Sequence, residues 1–159
     1  MLSLLPSAVA LGLAAFIALM ITVRRQSPAS NTDQRRIASR ALLVAVAIQC
    51  LHFAEEAVTG FHVQFPALFG LPPIPLGLFV VFNLVLIVIW IVAIDGLRSN
   101  RPVAFFAAWF LAITAILNGI AHALMAIAAN GYFPGLLTSP FIGGAGIWLW
   151  LRLRAATRI

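Results

Sequence analysis

Five apolar runs, each near the ~20 residues that an α-helix needs to cross a bilayer, constrain this chain more than any other feature. In hydrocarbon every backbone N–H and C=O must find its partner inside the protein, and a lone apolar segment achieves that only as a helix. The runs lie at about Leu2–Val23, Ile37–Thr59, Pro75–Asp95, Pro102–Ala129 and Ser139–Leu153. Between them stand helix-ending signals: a polar stretch from Arg24 to Arg36, the cluster Pro72-Pro73-Ile74-Pro75, and Arg98 to Arg101 ahead of Pro102. Ser139 and Pro140 supply a cap and a first-turn proline for the last run. The first run has its basic residues after it and none before, so it reads as a retained anchor and not as a conventional signal peptide.

Composition agrees with the pattern. The chain is 63% hydrophobic and 9% charged, where soluble domains average roughly 45–50% and 25%. The expected fold is an all-α integral membrane protein, one polytopic domain over residues 1–159 built as a five-helix transmembrane bundle. The formal charge of +6 comes from arginines gathered at the ends of the runs, which is a topology signal and not a nucleic-acid surface. With five spans, the N-terminus outside and the C-terminus inside, every arginine falls on one side of the membrane. Four or six spans would break that segregation. Trp90, Trp148 and Trp150 then fit an interfacial belt, and Gly143, Gly144 and Gly146 fit close helix approach. Cys50 is the only cysteine, so no intramolecular disulfide can form, and it is expected to be a small packing residue.

Against this background His52-Phe53-Ala54-Glu55-Glu56 stands out. Two of the four acidic residues in the chain are neighbours inside an apolar helix, where a carboxylate costs several kcal/mol. In the five-span topology this pentapeptide, Asn118 and His122 fall in the outer half of the membrane, and Asn83 lands near the middle. At about 100° per residue, Gln49, His52 and Glu56 share a narrow arc, with Glu55 displaced from it. Thr114, Asn118 and His122 line one face of the fourth span. No arginine is expected in the outer half, so a metal ion, a protonated group or a cationic ligand must offset the glutamates. His52, Glu56 and His122 form the His₂Glu set that catalytic zinc sites use. Glu55 is then either the base for a bound water or a partner that orients a histidine. Gln49, Asn83, Thr114 and Asn118 are supporting candidates, with packing between helices as the simpler role for Gln49, Asn83 and Thr114.

Leu51-His52-Phe53-Ala54-Glu55-Glu56, Asn118-Gly119-Ile120-Ala121-His122 and Tyr132-Phe133-Pro134-Gly135 together resemble the HXXEE-domain family of small bacterial membrane proteins, from about Leu43 to the last helix. The resemblance implies a bacterial cytoplasmic-membrane protein and one shared site, and it supplies no reaction. In chemistry alone, His52 and Glu56 are also similar to the His and Glu that emopamil-binding sterol isomerases place one turn apart.

The expected function is an intramembrane enzyme acting on a lipid, isoprenoid or other apolar small molecule, with catalytic candidates His52, Glu55, Glu56 and His122. Its cofactor would be a divalent metal, zinc or iron, held by His52, Glu56 and His122. Without a metal, the same residues suit an acid–base isomerase or cyclase. A binding protein for an amphipathic cation ranks next. A proton- or cation-coupled transporter ranks last, because the inner half offers almost no polar relay. Membrane lipids are the expected partners, nucleic acid is not, and the oligomeric state is open. The apolar stretch from Thr59 to Pro75 and the stretch Tyr132–Pro140 are expected to cover the site from outside.

Overall fold

The computed structural model describes residues 2–25 and 32–157. Among these, all regular structure is helical: a 3₁₀ turn at Leu2–Leu4, then α1 (Leu5–Arg25), α2 (Thr32–Thr59), α3 (Phe61–Ala67), α4 (Leu76–Arg98), α5 (Pro102–Ala128) and α6 (Ser139–Ala156). Four of these helices, α1, α2, α4 and α5, are long and apolar enough to cross a membrane. Leu13 and Phe16 on α1 and Val81, Val85, Val88 and Val92 on α4 are exposed, an apolar exterior suited to lipid. The protein is a membrane protein on these grounds. The expected fifth span is the 18-residue α6, which is not among the four.

Several boundaries differ from the sequence expectation. The polar linker from Arg24 to Arg36 is shorter than expected: α1 runs through Arg25, α2 starts at Thr32, and 26–31 lie outside the described residues, as does Arg158. Long charged side chains can sit on the last turns of a helix because their heads reach polar surroundings. The same reason carries α4 past Asp95, where Arg98 donates to the Asp95 carboxylate at 3.0 Å, and carries α6 to Ala156. Thr138, not Ser139, occupies the N-cap position of α6, and its side chain makes no capping bond.

α2, α6, α5 and α4 close into a ring in which each packs on two neighbours, and α1 packs against α5. Small buried residues let the helices approach, among them Ala41 and Ala45 of α2 and Ala108, Ala112 and Ala115 of α5. The α5–α6 crossing is the tightest point. A Cβ on Gly119 would lie 2.8 Å from the Cα of Gly143, and one on Gly146 would meet Ala115 Cβ at 2.8 Å. Gly144 faces open space and takes no part. Trp90 is buried, with Nε1 donating to the Ala107 carbonyl at 3.1 Å, and Trp150 stands edge-on to buried Trp109. Trp90 therefore serves helix packing where an interfacial belt was expected, because its indole N–H faces a neighbouring helix and is satisfied by it. Cys50 is exposed on the outer face of α2 and is not a packing residue.

Gly146→Leu is expected to lower thermal stability in detergent by about 1–3 kcal/mol through overpacking, and Gly144→Leu to leave it unchanged. Unfolding curves of both variants test the crossing.

Candidate metal centre

Helical spacing puts His52 and Glu56 one turn apart on the inner face of α2, and both are buried. His122, near the C-terminal end of α5, comes to the same point and is buried as well. The Gly119–Gly143 contact sets how closely α5 approaches α6 one turn before His122. The two imidazoles meet edge to face, with centroids 4.8 Å apart.

One carboxylate oxygen serves both rings. Glu56 Oε1 lies 3.6 Å from His52 Nε2 and 3.3 Å from His122 Nε2. The longer distance is not a hydrogen bond, and His52 Nε2 is buried with no hydrogen-bond partner among the described residues, as is His122 Nδ1. One ligand atom from each of the three residues can be chosen so that all lie within 4.8 Å of one another. A tetrahedral ion with bonds of ~2.0–2.1 Å holds its ligand atoms ~3.3–3.4 Å apart. The Glu56–His122 distance matches that edge, the Glu56–His52 distance exceeds it by a few tenths of an ångström, and the widest pair, at up to 4.8 Å, would have to draw in around an ion. The donor set and the orphaned nitrogen therefore fit a divalent ion.

Gly135 covers the pair. Its φ of +89° is left-handed, and a Cβ there would lie 2.4 Å from His122 Cε1 and 3.0 Å from His52 Cε1. Glycine is required by conformation and by space. The apolar cover comes from α3 and the α5–α6 connection. The Phe61 ring sits 5.5 Å from His122 and 6.0 Å from Phe133, and it also stacks on Phe65 and Phe79. Left-handed Gly60 (φ +85°) ends α2 and turns the chain into α3, which is how the stretch after Thr59 comes to lie over the site.

Glu55 lies off this face and is satisfied elsewhere. Its Oε1 accepts the Tyr132 hydroxyl at 2.6 Å and the Leu137 N–H at 3.0 Å. Its Oε2 accepts the Thr138 N–H at 2.8 Å and the Thr138 hydroxyl at 2.5 Å. Thr138 Oγ1 in turn is 2.7 Å from His52 Nδ1. Desolvation, and after it the bond to Glu55, holds the Tyr132 phenol above its ordinary pKa, so it remains a donor.

The supporting candidates separate. Asn83 donates to the Phe79 carbonyl and Thr114 to those of Phe110 and Leu111, so both are spent on their own helices. Gln49 is buried and Asn118 half-buried, and neither side chain makes a hydrogen bond among the described residues. His62 of α3 stacks on Phe79 of α4 and is not one of the three residues grouped at the site. Thr138 was not singled out from sequence, and Gly135 appeared there only within the Tyr132–Gly135 motif, with both in the stretch expected to cover the site. The Pro134-Gly135 pair and the position of Thr138 just before Ser139-Pro140 were the available signals.

No curated protein and no solved structure matches this chain. A family described as "Protein of unknown function with HXXEE motif" matches residues 43–149. That range holds the triad, Glu55 and its partners, and most of α6, and it leaves out α1. The chain belongs to this HXXEE-motif family.

Proposed function

We propose that this protein is an intramembrane metalloenzyme acting on a lipid, isoprenoid or other apolar small molecule, with His52, Glu56 and His122 as its metal ligands. One observation carries the reading: a buried carboxylate oxygen stands 3.3 and 3.6 Å from two imidazole Nε2 atoms, one of which has no hydrogen-bond partner among the described residues. Burying a carboxylate and two imidazoles in an apolar interior is costly unless something binds them. Zinc or iron in this set would polarise a substrate oxygen or activate water.

The chain's own residues divide the remaining work. His52 and His122 present neutral nitrogens, and Glu56 contributes the negative charge. Phe61 and Phe133 exclude water beside His122 and offer an apolar wall to a substrate arriving from the membrane. A metal-free isomerase or cyclase is the second reading. It is favoured by the 3.3 Å contact of Glu56 with His122, a spacing at which a proton can be shared. For topology the proposal is five spans with the N-terminus outside, α6 as the fifth, and the site toward the outer leaflet of the bacterial cytoplasmic membrane. The gathering of arginines at helix ends supports it.

Protein purified without added metal is expected to carry about one divalent ion per chain by elemental analysis, and Glu56→Ala and His122→Ala to carry almost none. Metal-free wild type would sink the metalloenzyme reading. Gly135→Ala, which pushes a methyl group into both imidazoles, is expected to reduce retained metal by tenfold or more, on the order of a lost partner of a ligand. Gly131→Ala, in open space, retains it. For topology, a Cys50→Ala background with His62→Cys or Ser30→Cys should label from opposite sides of the membrane. Labelling from one side refutes the five-span arrangement.

A further inference from the structure

Thr138 joins two groups that the triad alone does not connect. A threonine hydroxyl has one proton to give and lone pairs to receive with. Thr138 Oγ1 lies 2.5 Å from Glu55 Oε2 and 3.5 Å from the Gly135 carbonyl, so its proton belongs to Glu55. Glu55 is an acceptor at each of its four contacts: the Tyr132 hydroxyl, two backbone N–H groups and the Thr138 hydroxyl. Having given its proton away, Thr138 can meet His52 Nδ1, 2.7 Å distant, only as an acceptor. In the neutral imidazole Nδ1 therefore carries the ring proton, and Nε2 carries the lone pair. Nε2 is the nitrogen turned toward Glu56, buried and without a hydrogen bond among the described residues.

We propose that Thr138 and Glu55 form a relay that locks His52 in the Nδ1–H tautomer and aims its Nε2 lone pair into the triad, so that Glu55 is a positioning residue and not the base of the site. The tautomer follows from the hydrogen bonds alone, and its use as a ligand rests on the metalloenzyme reading. The arrangement has the form in which a histidine ligand is oriented by a partner on its other nitrogen, here with a hydroxyl interposed before the carboxylate. It also removes Glu55 from proton transfer at the triad. Its two oxygens are filled by four donors, and they face the α5–α6 connection on the far side of His52.

The decisive measurement is the ¹⁵N spectrum of ring-labelled histidine in metal-free protein at about pH 8, above the ordinary histidine range. The chain has three histidines, and His62→Gln and His122→Gln assign them. Wild-type His52 is expected as the Nδ1–H form. Thr138→Val and Glu55→Gln, whose amide can donate toward Thr138, are expected to move it toward Nε2–H, and Thr138→Ser to keep it. Titration with Zn²⁺ should show about 10–100-fold weaker binding for Thr138→Val and near wild-type binding for Thr138→Ser. His52 found as Nε2–H in wild type overturns the relay whatever the metal does, and this needs no variant to fold. Unchanged Zn²⁺ affinity in Thr138→Val overturns the relay's part in metal binding. An Nδ1–H His52 in a wild type that never binds metal leaves the relay standing and refutes the metalloenzyme reading instead.

Discussion

The carboxylate of Glu55 is the point at which α2 is tied to the connection between α5 and α6, and the geometry of the site depends on that tie. A carboxylate held in an apolar bundle needs donors supplied by the protein. Here they come from Tyr132, Leu137 and Thr138, all in the segment that crosses from α5 to α6. Satisfying Glu55 therefore fixes a connection that would otherwise be a surface loop. The same segment sets Gly135 against the two imidazoles and Phe133 beside them. Adjacent glutamates in the motif thus have different tasks because neighbouring residues on a helix point in different directions. Glu56 faces into the ring of helices, and Glu55 faces the connection that closes it.

The second constraint is how near α5 and α6 can come. Gly119 and Gly143 meet without side chains between them, and Gly146 lies against Ala115 and Ile116. Dispersion across that contact replaces the hydrophobic drive that helix pairs lack in lipid. It places His122 one turn above the crossing, at the depth of His52 and Glu56. The polar centre and the small-residue crossing belong to one packing unit, with α4 closing the ring and α1 added against α5.

Much of this was legible in the sequence, for identifiable reasons. Membrane-length apolar runs and their proline and arginine breaks mark the long helices, since length and hydropathy are local properties. The one-turn spacing of His52 and Glu56 is local too, and so is that of Asn118 and His122. Charge counting singled out the glutamates as needing a partner. Less legible was what each polar side chain would meet. Asn83 and Thr114 have the composition of site residues and turn back onto their own helices, as Asn and Thr can when a carbonyl lies four residues behind. Trp90 reads as an interfacial residue and is buried against α5, because sequence gives its depth and not its neighbour.

By itself, then, the sequence determined an all-helical membrane protein, a buried His/Glu pair in α2, and a histidine at comparable depth in α5. It left open whether these groups converge and which glutamate does what. Tertiary structure decided both. Convergence depends on the α5–α6 crossing and on a ring that brings α2 opposite α5, and contacts between distant segments are not encoded in helical periodicity. The division between Glu55 and Glu56 depends on Thr138, a residue 83 positions away from Glu55 whose hydroxyl joins that carboxylate to His52. A hydrogen-bond partner so distant in sequence becomes visible only when the chain is folded, because donor and acceptor must meet within about 3 Å to count.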